Sequence, residues 1–161
     1  MYIYAYRHLL TWLTMPSTSV TADPVAVANR LRPVLLQLAR ELRREIHSLG
    51  VTGGQVSLLV QIERDPGIGV RELAARERMS PAGMSKYVGR LEAAGLLERT
   101  ALPDKRRVGL RLTGQAERVL RSVRHRRTAW LAARLRELDD HDRAAIERAL
   151  DPLARLLEVR L

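Results

Sequence analysis

A mainly α-helical fold with one small β-element is predicted for these 161 residues on three observations. The chain is 46% hydrophobic but has no Phe and only 4% aromatic residues, so its core must be built from Leu, Val and Ala, the usual fill of packed helices. Apolar residues recur at intervals of three and four over most of the length. One short stretch alternates instead, with Val108, Leu110 and Leu112 separated by Gly109 and Arg111.

The first fifteen residues stand apart. Tyr2, Tyr4, Tyr6 and Trp12 are four of the six aromatics, in a stretch with one formal charge, Arg7. Arg7, His8, Thr11 and Thr14 interrupt the apolar run before Pro16 ends it, so it is too short and too broken to span a bilayer. A secretory signal would have Leu9 to Met15 as its apolar region and Val20-Thr21-Ala22 as its cleavage site, but Arg7 then follows the apolar residues it should precede. Residues 1–22 are read as an extension and polar linker, with Met15 as a candidate initiator.

From Asp23-Pro24 onward Leu31, Leu35, Leu38, Leu42, Ile46 and Leu49 line one side of a helix, which Gly50 is expected to stop. Pro33 should kink it or mark its first turn. Thr52 and Gln55 form a capping box for a second helix, carried by Val56, Leu59, Val60 and Ile62 to the turn at Asp65-Pro66-Gly67. Val70 to Arg76 is a short third helix. Ser80 and Pro81 open the fourth as N-cap and first helical residue, and Gly95 closes it. Leu96 to Thr100 and Val108 to Leu112 are strands joined by a polar loop at Pro103-Asp104-Lys105-Arg106. Thr113 caps a long helix through Leu120, Val123, Trp130 and Leu135. Asp139 and Asp142 begin the last, whose stripe of Ile146, Leu150, Leu153 and Leu157 is expected to be interrupted by Pro152.

Two helices at a sharp turn, followed by a hairpin with a cationic tip, make a winged helix-turn-helix. On the fourth helix Met84, Tyr87, Val88 and Leu91 share one side. Ala82, Lys86 and Gly89 lie opposite, flanked by Gly83, Ser85 and Arg90, a face of small and hydrogen-bonding residues suited to a major groove. A merely solvated face would also carry charge, but an interior Gly costs about 1 kcal/mol relative to Ala, which an idle surface does not require.

Charge points the same way. There are 28 Lys and Arg against 18 Asp and Glu, a formal net charge of +10, and all of the cations but Lys86 and Lys105 are Arg. Leu96 to Arg127 alone carries +7, the electrostatic footprint expected of a DNA-binding surface. With no Cys, disulfides, thiol chemistry and Cys-rich zinc sites are excluded, and a reducing compartment is expected. His8, His47, His125 and His141 are isolated, and no phosphate loop or nucleophile elbow is present, so neither catalysis nor a metal site is expected.

Val70-Arg71-Glu72-Leu73-Ala74, Met79-Ser80-Pro81-Ala82-Gly83-Met84-Ser85-Lys86, Leu91-Glu92-Ala93-Ala94-Gly95-Leu96-Leu97-Glu98-Arg99, Asp104-Lys105-Arg106-Arg107 and Leu112-Thr113 together resemble the MarR family (multiple antibiotic resistance regulator) over residues 24–160. The resemblance implies a homodimeric winged-helix repressor with its recognition helix in the major groove and Arg106 in the minor groove. It also implies that Asp104 orients the wing by pairing with an Arg, and that a small phenolic or carboxylic effector enters a cleft between the lobes. His47 and Trp130 are the candidates for that cleft by location. Gly83 and Gly89 depart from the larger side chains usual in the family, and the lack of Cys excludes its peroxide-sensing branch.

The expected architecture is therefore a winged helix-turn-helix DNA-binding domain at 51–113 and a helical dimerisation region at 23–50 and 114–161. Expected DNA contacts are Ser80, Pro81, Ala82, Gly83, Ser85, Lys86 and Arg90 on the recognition helix and Lys105, Arg106 and Arg107 on the wing. The partners expected are an operator duplex, a second copy of the chain and the small effector. No cofactor and no membrane are expected, and the compartment is the cytoplasm. The alternative is a basic protein that coats DNA without sequence preference or effector response.

Overall fold

The computed structural model describes residues 23–101 and 108–158, and the extension at 1–22 and the wing tip at 102–107 lie outside them. Two units divide the chain, Met1–Gln37 and Leu38–Leu161, and the division falls within the first helix, α1 (Pro24–Arg44). The Asp23 carboxylate accepts from the amides of Val25 and Ala26 at 3.2 Å each, so α1 starts with an acidic cap and Pro24 in its first turn.

The helix does not run to Gly50. It ends at Arg44, and the chain tightens into a 3-10 turn at His47–Leu49 that Gly50 closes with φ +69°. The change of winding carries Ile46 into the core, where it is fully buried, while Val34, Leu35 and Leu36 stay exposed. Pro33 lies inside α1 without ending it. The hydrogen bond it removes would have been accepted by Asn29, an exposed position open to solvent.

α2 (Gly53–Arg64) begins at the expected capping box: the Gln55 amide donates to the Thr52 hydroxyl at 3.2 Å and the Thr52 amide to the Gln55 side chain at 2.7 Å. α3 (Val70–Arg76) and α4 (Pro81–Ala93) are joined by a turn in which the Arg78 amide donates to the Ala75 carbonyl and the Met79 amide to that of Ala74. This is a Schellman closure with Arg78 at φ +53°, a left-handed position where glycine is usual and a side chain costs about 1 kcal/mol.

The sheet is the antiparallel pair β1 (Leu97–Ala101) and β2 (Val108–Leu112), with Leu97 opposite Leu112 and Ala101 opposite Val108. The first strand lies one residue later than the expected Leu96 to Thr100. A further segment lies along β2: the Gly67 amide donates to Leu110 at 2.8 Å and the Leu110 amide to Ile68 at 3.0 Å. The approach is close enough that a Cβ on Gly109 would stand 2.5 Å from the Gly67 carbonyl oxygen.

Thr113 caps α5 (Gly114–Arg136), its hydroxyl accepting from Ala116 and donating to the Gly95 carbonyl at 2.6 Å. The side chain of Arg127 reaches the Leu42 carbonyl at 3.3 Å and so satisfies an acceptor in the last turn of α1. α6 (Asp140–Glu158) follows, capped by Asp139 and continuous through Pro152. The interruption expected there does not occur, because the carbonyl left without a donor belongs to exposed Arg148. The buried core joins the 3-10 turn, α2, α3, α4, the strands and the first half of α5 through Leu59, Leu73, Met84, Leu91, Leu110 and Leu120. α1 and α6 contribute no buried residue among those described.

Candidate nucleic-acid interface

The two sides of α4 divide as its sequence predicts. Met84, Val88 and Leu91 are fully buried and Tyr87 half-buried, which fixes the helix on the core. Pro81, Ala82, Ser85, Lys86, Gly89 and Arg90 are exposed, and Gly83 is half-buried. The structure therefore brings all seven recognition-helix candidates, Ser80 included, to the outer side or leading end of one helix.

Its two glycines have different physical reasons. The Gly83 amide donates to the Ser80 hydroxyl at 3.1 Å, and a Cβ there would stand 3.0 Å from that oxygen, so glycine makes room for the cap. At Gly89 a Cβ would meet nothing within 4 Å. Gly89→Ala is expected to stabilise the protein by about 1 kcal/mol, read as a higher Tm, because alanine restricts the unfolded chain and favours the helix. An unchanged or lower Tm would show that the helix needs glycine at this position.

The carboxylates around α3 and α4 are engaged. Asp65 and Glu72 both accept from Arg76 at 2.6 Å, and Glu77 accepts from the Gln61 amide. Glu92 accepts from both Nε and Nη2 of Arg99, at 2.8 and 3.0 Å. These hydrogen bonds hold the Arg99 guanidinium even more firmly protonated than usual, against the opposing effect of its partial burial. Among the described residues Arg71, Arg78 and Lys86 have no carboxylate partner, and the Arg90 guanidinium lies over the Tyr87 ring, 5.0 Å from its centre. The exposed side of this helix pair is left cationic, with one of its arginines held by an aromatic face.

The bidentate pair between Glu92 and Arg99 joins the recognition helix to the first wing strand. Sequence reasoning missed it, although both residues stand in the Leu91–Arg99 motif, because their pairing depends on the turn at Gly95 folding β1 back beside α4. The wing candidates Lys105, Arg106 and Arg107, and Asp104 with its orienting role, lie outside the described residues.

The pair His47 and Trp130 is not brought together at a cavity. His47 is exposed in the 3-10 turn, and Trp130 is half-buried beneath the Arg134 guanidinium, 5.5 Å from the ring centre. A cleft of about 800 Å³ lies instead against α2, with Leu42, Val56 and Val60 among its apolar lining and Arg43, Arg64 and Arg127 among its cations. The sequence offered no marker for it, since its lining comes from four separate elements. Asp139, His141 and Asp142 come together at the start of α6, but all are exposed and the Asp139 carboxylate already accepts from the Asp142 amide at 2.8 Å. No helix of the described residues is long and apolar enough to cross a membrane.

Comparison with known proteins places this geometry among regulators. The MarR family model matches residues 49–108, the span from the 3-10 turn to the start of β2. An HTH-type transcriptional regulator of Mycobacterium tuberculosis is 28% identical over 133 residues, covering 82% of this chain and 93% of its own. The structure of a candidate transcriptional regulator from Pseudomonas aeruginosa PA01 is 31% identical with a TM-score of 0.74, over 84% of this chain and 96% of that one. A transcriptional regulator of Thermotoga maritima superimposes with a TM-score of 0.71 at 26% identity, over 83% and 95% of the two chains.

Proposed function

Because the chain belongs to the MarR family and is a DNA-binding transcriptional regulator rather than an enzyme, we propose that it is a homodimeric repressor, acting in the cytoplasm on a palindromic operator. The observation that carries this reading is the division of α4: a fully buried apolar side and an exposed side whose Lys86 has no carboxylate partner among the described residues. The DNA-binding domain is 51–113. Within it the small residues Ala82, Gly83 and Ser85 let the helix backbone approach base edges, while Lys86 and Arg90 reach guanine or phosphate. Arg106 would enter the minor groove from the wing, with Lys105 and Arg107 as further DNA contacts beside it.

The dimerisation region is 23–50 with 114–161. Val34 and Leu35 of α1 are exposed, as are Ile146, Leu150 and Leu157 at helical spacing on α6, and a second copy of the chain would cover them. The cleft beside α2 fits a small anionic effector, carboxylic or phenolic. Arg76 is held by Asp65 and Glu72, but Arg43, Arg64 and Arg127 form no ion pair among the described residues.

The test is binding to a duplex selected by the protein from random sequence, compared with its scrambled counterpart across a salt series. A regulator prefers the selected duplex by a factor on the order of 10³ or more, whereas a non-specific coating protein shows steep salt dependence and no preference. Lys86→Ala is expected to lose about 1–3 kcal/mol per half-site on the selected duplex and much less on the scrambled one. Equal losses on both would make Lys86 a phosphate contact and remove it from sequence readout.

A further inference from the structure

Arg78 is the one described residue other than glycine with a left-handed backbone. It occupies the position of the α3–α4 turn where glycine would be free of steric cost, and the Schellman hydrogen bonds of Arg78 and Met79 hold the backbone there whatever the side chain. A long cationic side chain contributes nothing to that closure. It forms no ion pair or hydrogen bond among the described residues, and it is exposed. The neighbouring carboxylates pair elsewhere: Glu77 with Gln61, and Glu72 and Asp65 with Arg76.

We propose that Arg78 is a phosphate anchor that sets how the leading end of α4 enters the groove, a contact outside the set of DNA residues read from the sequence and resting on the DNA-binding reading above. Arg78 stands two residues before Ser80, the cap of α4. The first residues of a recognition helix are the ones that approach base edges, in a groove about 12 Å wide with a phosphate backbone at each rim. A guanidinium projecting from the turn just ahead of that helix end is placed at the rim rather than at the bases. The positive end of the α4 dipole adds to the attraction for the same backbone. Arg78 thus fixes position without reading sequence, while Lys86, on the outer side of the helix, reads it.

The two contributions of this side chain have opposite signs, and that makes the proposal testable. Arg78→Gly removes the left-handed penalty, so its Tm is expected to rise by about 2–4 °C. Its affinity is expected to fall at least fivefold, equally on the selected and the scrambled duplex, with the slope of log affinity against log salt shallower by about 0.9 for each of the two copies bound. Arg78→Lys keeps a charge in the same backbone and is expected to retain most of the affinity and the parent slope. Unchanged affinity and slope for Arg78→Gly would overturn the anchor, as would a lowered Tm, which would make the residue structural. Equal losses in the Gly and Lys variants would also overturn it, since the effect would not then be one of charge. Failure of the parent protein to bind any duplex would overturn the DNA-binding reading itself.

Discussion

Alanine at position 109 is expected to destabilise the winged lobe by roughly 3 kcal/mol, a fall of about 10 °C in Tm for a chain of this size. The added Cβ would stand 2.5 Å from the Gly67 carbonyl oxygen and 2.6 Å from its Cα, and both are backbone atoms that no rotamer change can move. Relief requires the Gly67–Ile68 segment to leave β2, which breaks the hydrogen bonds from Gly67 to Leu110 and from Leu110 to Ile68. The strand then loses one of its neighbours and Leu110, fully buried, loses its fixed position. Thermal unfolding followed by circular dichroism decides the matter. A Tm within a degree or two of the parent would mean that the turn at Pro66-Gly67 yields without cost. Gly89→Ala, the same chemical change, is expected to move Tm in the other direction, so the pair separates steric need from helix propensity.

Leu150→Asp is expected to leave each chain folded and to separate the proposed dimer. Leu150 is 58% exposed on α6, so a carboxylate there stays in water in the single chain. In a dimer it would be buried without a partner in an apolar contact, a placement that costs several kcal/mol. Binding to a duplex with two half-sites should fall by a factor on the order of 10² or more, because the second half-site is no longer engaged as part of the same molecule. Binding to a single half-site should be unchanged. Sedimentation of the variant as a dimer at micromolar concentration would place the contact between copies elsewhere.

Much of this architecture is written in local chemistry. The capping pair Thr52 and Gln55, the Ser80-Pro81 start and the Thr113 cap are satisfied within three residues, so their sequence spacing specifies the geometry directly. The inward and outward sides of α4 were legible for the same reason, since one helical period decides both. The sequence misled where a residue's effect depends on what surrounds it. Pro152 is tolerated inside α6 because the acceptor it orphans is open to water, in a helix that buries nothing among the described residues. Ile46 continues the leucine stripe of α1 in the sequence, but the core lies off that line and the chain rewinds to reach it. The cleft beside α2 has no marker in the sequence, because its lining comes from α1, α2, α3 and α5, which only tertiary packing brings together. Glu92 and Arg99 are invisible as a pair until the Gly95 turn is drawn.

That pairing also bears on the kinetics of finding DNA. Two parallel hydrogen bonds leave little freedom for β1 to swing against α4, so the ordering entropy of this joint is lost when the chain folds and need not be lost again at the duplex. Reading element and wing base then arrive as one rigid tool, and a single favourable collision can seat both. An assembly with a loose joint would need a second, slower search after first contact. Loosening the joint by Arg99→Ala should therefore slow association as well as hasten release, where most interface changes act on release alone.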